Sequence, residues 1–210
     1  MTADPAARIV HGRGLSWLEF RGGPERRAGF SLKPYDAAAK TPEELARDFS
    51  RAGRTTAAVA LSRHVHGDRV IRVEAAGAVD ACDGLVTARP GLTLAARAAD
   101  CLLIFLWDRE GPARGLIHAG RRGTSLGIAE AAVAALEADL GVPPERLTAV
   151  FSPCILTCCY AVDLVAENRR QLDRAGVEKV VSRPLCTCCG RDWFHSYRRG
   201  DRQKRMVGWI

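Results

Sequence analysis

The chain has 210 residues, 47% hydrophobic and 26% charged. These proportions fit a single folded domain with its own core, and they exclude a disordered, collagen-like or coiled-coil chain. No stretch approaches the roughly 20 uninterrupted apolar residues of a membrane-spanning helix, and the opening MTADPAARIVHGRG lacks the apolar centre of a secretory signal, so a cytoplasmic location is expected. The formal charge of +7 comes from 31 Lys and Arg against 24 Asp and Glu; lysine stands only at Lys33, Lys40, Lys179 and Lys204, leaving 27 arginines. Guanidinium forks suit phosphate and carboxylate, so this balance fits an anionic small substrate as well as nucleic acid.

Residues 1 to about 54 show little periodicity, with Gly22-Gly23-Pro24, Pro34 and Pro42 interrupting them. Thr41-Pro42-Glu43-Glu44 predicts one short helix there, with an N-cap, a first-turn proline and early acidic charge. Thr56–Leu61 and Val70–Val73 read as strands around the turn-like Arg63-His64-Val65-His66-Gly67-Asp68. Gly84–Thr87 leads through Arg89-Pro90-Gly91 to Leu92–Arg97, and Leu102–Trp107, apolar throughout, reads as a central strand buried on both faces. Arg114–His118 is another strand, followed by a glycine turn and an alanine-rich helix that ends before Gly141. Leu147–Phe151 and Val177–Val181 read as strands on either side of a helix at Val162–Ala175. Trp193–Tyr197 and Met206–Ile210 have strand-like composition, and the basic run between them, Tyr197 to Arg205, reads as a solvated hairpin turn. The class is α+β, with mixed β-sheets packed between helices.

Eight cysteines without a secretory signal point to thiols, metal ligands or catalytic groups rather than disulfides. Cys154, Cys158 and Cys159 form one cluster and Cys186, Cys188 and Cys189 another. Neither carries the repeated C-x2-C pairs of a zinc ribbon, and adjacent cysteines share one metal awkwardly, so thiols filling a core are expected over a second metal centre or an iron–sulfur site.

Three features sit at strand ends. His66 follows one strand, Cys101 precedes the most buried one and His118 closes another. Two imidazoles and a thiolate are a zinc set that leaves a fourth position for a reactant, whereas the plain alternative is two strand-end histidines and an apolar thiol. Spacing alone favours the alternative, because ligands so far apart form no local metal motif. Gly120-Arg121-Arg122-Gly123-Thr124-Ser125, just after His118, is a candidate anion loop, although it lacks the lysine of a Walker A loop.

Taken in order, His64-Val65-His66-Gly67, Asp83-Gly84-Leu85-Val86-Thr87, Ala99-Asp100-Cys101-Leu102, His118-Ala119-Gly120-Arg121-Arg122-Gly123, Cys158-Cys159-Tyr160 and Phe194-His195-Ser196-Tyr197-Arg198-Arg199 resemble the laccase-domain (YfiH-like) family. It is also called the polyphenol oxidoreductase or purine nucleoside phosphorylase family. The resemblance covers residues 56 to 210 and implies one domain over 1–210 with a diverged N-terminal 1–55, in α/β/β/α layers. It further implies a catalytic zinc site at His66, Cys101 and His118, with copper as the other candidate metal.

The activity implied is phosphorolysis of purine nucleosides, with adenosine deamination and methylthioadenosine cleavage beside it. Arg122, and Arg47 by a looser match, are the implied phosphate-binding residues. The implied partners are a purine nucleoside and phosphate, with no membrane, no nucleic acid and a monomeric state. The rival readings are a copper-dependent phenol oxidase, a hydrolase editing peptidoglycan precursors, a metal-free Cys101–His118 nucleophile pair, and a non-enzymatic binding protein. The chain departs from the family pattern at Arg121 (usually tryptophan), Ala99 (threonine), His195 (phenylalanine) and Lys204 (glycine), at Ile155-Leu156-Thr157, and at Ala37-Ala38-Ala39 in the N-terminal signature. These departures point to shifted specificity or weakened activity.

Overall fold

The computed structural model describes residues 7–21, 26–54, 58–182 and 185–210. The chain begins with β1 (Ala7–Gly12), β2 (Leu15–Arg21), β3 (Arg27–Ser31), α1 (Pro42–Arg51) and β4 (Ala58–Arg63). It continues through β5 (Val70–Arg72), β6 (Gly77–Asp80), β7 (Gly84–Thr87), β8 (Leu92–Ala98), β9 (Leu102–Asp108) and β10 (Arg114–Ala119). There follow α2 (Arg121–Ser125), α3 (Ile128–Leu140), β11 (Leu147–Phe151), α4 (Leu164–Arg174), β12 (Lys179–Val181) and β13 (Met206–Trp209). Among the described residues no helix is long and apolar enough to cross a membrane.

Two mixed sheets face each other. One runs β1-β2-β3-β13-β8-β4-β6 and the other β12-β11-β9-β10-β7-β5. Side chains alternate across a strand with period two, so an all-apolar strand must be covered on both faces. In β9, Leu103, Phe105 and Trp107 enter the core between the sheets, while Leu102, Ile104 and Leu106 meet the layer of α3 and α4. The other sheet behaves likewise. Leu94 and Ala96 of β8 face the inter-sheet core, and Ala95 joins Leu45 and Phe49 of α1 on the outer face. The order is therefore helix, sheet, sheet, helices, as expected.

Local signals explain the helices. Thr41 and Glu44 form a reciprocal capping box on α1, with Pro42 in the first turn, and Asp163 caps α4 by accepting from the Ala166 N–H at 2.9 Å. The N-terminal region departs from its sequence reading, since β1, β2 and β3 occupy it alongside the expected helix. In β2, Leu15 and Trp17 face one core and Leu18 and Phe20 the other, but Glu19 breaks the apolar run. Glu19 is nearly buried and is compensated by Arg8 at 2.9 Å, Arg21 at 3.5 Å and Arg27 at 3.7 Å.

The Trp193–Tyr197 expectation is also corrected, because the segment is irregular chain and turns. Its donors go to local acceptors instead of a neighbouring strand: Phe194 N–H to the Gly190 carbonyl, His195 N–H to the Met206 sulfur and Ser196 N–H to Asp201. Gly22-Gly23-Pro24, and Thr56 and Ala57 of the expected Thr56–Leu61 strand, lie outside the described residues.

Phe105 is fully buried between the sheets, against Phe20 at a ring-centroid distance of 5.5 Å. Phe105→Ala is expected to cost about 3–5 kcal/mol, read as a lower urea midpoint, whereas Ile9→Ala on exposed β1 stays within about 0.5 kcal/mol.

Candidate metal and anion site

The ends of β4 and β10 and the β8–β9 junction meet at one rim, and a buried carboxylate joins the first two. Asp83, fully buried just ahead of β7, has its Oδ1 2.9 Å from His118 Nδ1. Its Oδ2 accepts the N–H groups of Val65 at 3.0 Å and Gly67 at 2.9 Å. One side chain thus fixes the His64–Gly67 loop, including His66 in the left-handed region at φ 60, to the end of β10. The other ring nitrogen of His118 is left for a ligand, the arrangement by which a carboxylate orients a metal-binding imidazole.

The histidines are mutually close. His64 stacks on His118 with centroids 3.8 Å apart, and the His66 ring stands edge-on to His118 at 5.0 Å. One ligand atom from each of His64, His66 and His118 lies within 4.8 Å of the others. Cys101 lines the same cavity beside these rings, but its sulfur falls outside the group of three imidazoles. A Cβ built on Gly120 would lie 3.0 Å from His66 Cδ2, 3.1 Å from Cys101 Sγ and 3.6 Å from His118 Cε1, so a side chain there would press on His66 and Cys101 and touch His118. His64 is an addition, a residue quoted in the His-Val-His motif but given no role from sequence; the alternation of two histidines was the available signal.

Burial favours the neutral forms of His64, His118 and Cys101. Burial lowers the His64 imidazole to about 3, with His118 and His66 adding to the fall, and its Nδ1 is buried without a hydrogen-bond partner. Burial also lowers His118, against the opposing pull of Asp83. Burial and the neighbouring Asp100 push the Cys101 thiol up to about 12, so a thiolate there requires a cation beside it. An unpaired buried imidazole nitrogen, two further imidazoles and a thiol suit a borderline-soft divalent ion, and zinc and copper both fit that donor set.

These groups line a cavity of about 480 Å3. Arg121, Arg198 and Arg205 make its lining basic, and Ile155, Tyr160 and Leu164 form an apolar wall. The Arg198 guanidinium lies 5.0 Å from the Tyr160 ring centroid. The basic run of the tail is therefore more than a solvated turn, since it supplies Arg198 and Arg205. It is tied down by Asp100, left-handed at φ 86, whose carboxylate accepts from Thr187 Oγ1 at 2.6 Å, Ser196 Oγ at 3.0 Å and the Arg198 N–H at 2.7 Å.

The glycine loop forms the short helix α2, held by Asn168 on Thr124 Oγ1 at 2.8 Å and Gln171 on the Thr124 carbonyl at 2.6 Å. Arg121 faces the cavity, whereas Arg122 and Arg47 are exposed side chains outside its lining. Among the departures from the family pattern, Arg121 and Ala99 line the cavity, His195 is buried with Nε2 3.1 Å from the Tyr35 carbonyl, and Lys204 is exposed.

Burial alone would raise the Asp83 carboxyl, but hydrogen bonds from His118, Gly67 and Val65 outweigh it and hold the group at about 2. The folded state thus binds fewer protons than the unfolded chain between these values, and the resulting stability is full above about pH 4 and lost as pH falls through 2. Asp83→Asn is expected to destabilise by on the order of 2 kcal/mol at pH 7. The gap from wild type, measured by urea unfolding across pH, should close toward pH 2; a constant gap would contradict the assignment.

The sequence and the fold both have matches among known proteins. A family model described as multi-copper polyphenol oxidoreductase laccase matches residues 22–164 and 161–210. A Streptomyces griseus protein named purine nucleoside phosphorylase is 32% identical over 226 residues, covering 89% of this chain and 91% of that protein. A human protein of the same name is 40% identical over 164 residues, 62% of this chain and 38% of the human protein. Among solved structures, the hypothetical protein YfiH of Bacillus licheniformis matches with a TM-score of 0.85 at 25% identity over 98% of both chains. YlmD of Geobacillus stearothermophilus matches at 0.82 and 26% identity, over 99% of this chain and 98% of that one. The family model spans most of the sequence and the fold matches from end to end: the chain belongs to the multi-copper polyphenol oxidoreductase laccase family.

Proposed function

We propose that this protein is a zinc-dependent purine nucleoside phosphorylase, with adenosine deamination and methylthioadenosine phosphorolysis as accompanying activities in the same cavity. The observation that carries this reading is the convergence of His66, Cys101 and His118 on one side of a cavity whose lining also holds Arg121, Arg198 and Arg205. The names of the relatives support the reaction class. A volume of about 480 Å3 suits a nucleoside-sized molecule.

Zinc would be held by His66, Cys101 and His118, and when bound it supplies Lewis acidity toward an oxygen of the reactants. The remaining work falls to the chain. Arg121, Arg198 and Arg205 hold phosphate and offset its charge while one phosphate oxygen forms a bond to the ribose anomeric carbon and the bond to the base breaks. Ile155, Tyr160 and Leu164 exclude water beside the base. Asp83 keeps the His118 ring oriented and its Nδ1 occupied. Arg122 and Arg47 contribute to the positive field that draws phosphate in, without direct contact. A metal-free Cys101–His118 pair is the weaker reading, because a thiol pushed up to about 12 is a poor nucleophile.

Purified protein is expected to release purine base from inosine, adenosine or methylthioadenosine only when phosphate is present. Cys101→Ala should abolish the release, and Arg198→Ala should raise the phosphate KM about tenfold or more with a smaller change in the nucleoside KM. Turnover that ignores phosphate removes the phosphorylase reading. Phenol oxidation strictly dependent on copper, with no nucleoside turnover in the zinc form, replaces it with the oxidase. Gly120→Ala, which drives a methyl group between His66 and Cys101, should lower both zinc affinity and turnover at least about tenfold.

A further inference from the structure

A second set of ligands lies outside the cavity. Cys154 and Cys186 form an isolated parallel bridge, with the Cys154 N–H on the Leu185 carbonyl at 3.1 Å and the Thr187 N–H on the Cys154 carbonyl at 2.9 Å. Each arm then enters a turn, at 157–159 and at 187–189. The sulfurs of Cys158, Cys159, Cys186 and Cys189 all fall within 4.8 Å of one another, and Cys189 Sγ is 3.4 Å from Cys159 Sγ and 3.6 Å from Cys158 Sγ. Disulfide sulfurs stand about 2.05 Å apart, so neither contact is a bond. Four sulfurs around a tetrahedral zinc at about 2.3 Å stand about 3.8 Å from each other, close to the distances here.

The local chain is built for sulfur ligation. Cys186 and Cys189 have C-x2-C spacing, and, against the effect of burial, nearby backbone N–H groups and cysteines lower the Cys186 thiol to about 7. The Gly190 N–H closes the turn on the Cys186 carbonyl at 2.9 Å, and a Cβ at Gly190 would meet Phe194 Cδ2 at 2.7 Å. Packing explains only part of the cluster, since Cys159 and Cys186 rest against the core. Cys154 is a buried core thiol as expected, but Cys158 and Cys189 are exposed and cover little apolar surface.

We propose that Cys158, Cys159, Cys186 and Cys189 bind one Zn2+ as a closed structural site, separate from the cavity. Binding displaces the thiol protons to solvent and changes no oxidation state. Four thiolates leave no position for a reactant, so this ion ties two loops together and does no chemistry. Those loops shape the cavity: Ile155 and Tyr160 flank the first turn, and Thr187, within the second, donates to Asp100 beside Cys101. Arg199 donates to the carbonyls of Thr187 at 3.1 Å and Cys188 at 2.7 Å, placing a cation against the negative tetrathiolate. The proposal is independent of the nucleoside reading.

Zinc-edge X-ray absorption on a His66→Ala/Cys101→Ala variant, reduced and purified without chelator, isolates this site from the cavity. The expected result is about one zinc per chain with a sulfur-only shell near 2.3 Å. In the otherwise intact chain, Cys186→Ser/Cys189→Ser should lose about one equivalent of zinc, and cobalt loaded into the His66→Ala/Cys101→Ala background should lose its thiolate charge-transfer absorption when these two serines are added. A metal-free His66→Ala/Cys101→Ala variant, a nitrogen or oxygen shell, or mass spectrometry showing a disulfide among these four in the reduced preparation overturns the proposal. The absorption readout does not depend on the serine variant folding, and nucleoside turnover moves none of these outcomes.

Discussion

The Asp83 carboxylate is the constraint on which the cavity depends. Three donors converge on its two oxygens, one from an imidazole at the end of β10 and two from the backbone of the loop after β4. Burying an ionised group is costly unless its lone pairs are filled, and here they are filled by the parts that must be brought together. The same contacts therefore stabilise the charge and set the geometry. Without them the His64–Gly67 loop has no reason to hold His66 at a positive φ beside His118.

The layers do the coarser positioning. Strand β9 is apolar on both faces and sits beside β10 and β11, and so fixes where the β8–β9 junction and the end of β10 emerge. Cys101 and His118 then differ by the width of one antiparallel pair. Long separation along the chain becomes a short separation in space, because a register of paired residues connects them.

Much of this was legible in the residues, and the exceptions have physical causes. The central strand, α1, α3 and α4 announced themselves through apolar runs, caps and glycine stops. The strands of the first thirty residues did not, because Glu19 interrupts β2 with a charge whose compensation comes largely from Arg8 of β1 and Arg27 of β3, neighbours in space rather than in sequence. His66, Cys101 and His118 stood out by their strand-end positions and by family resemblance. Arg198 and Arg205 could not be told from solvated turn residues, since their role depends on Asp100 pulling the tail toward Cys101. In the cysteine clusters, the adjacency of Cys158 and Cys159 masked the C-x2-C pair that faces them.

Asp100 has a consequence for any redesign of the cavity. Its two oxygens join the residue before Cys101 to Thr187, to Ser196 and to the backbone of Arg198. The cavity wall around Arg198 and the strand junction that carries Cys101 thus share a common anchor, and evolution cannot tune one while ignoring the other. A transplanted tail that lacks the serine at 196 would arrive without its mooring and leave the cysteine adrift.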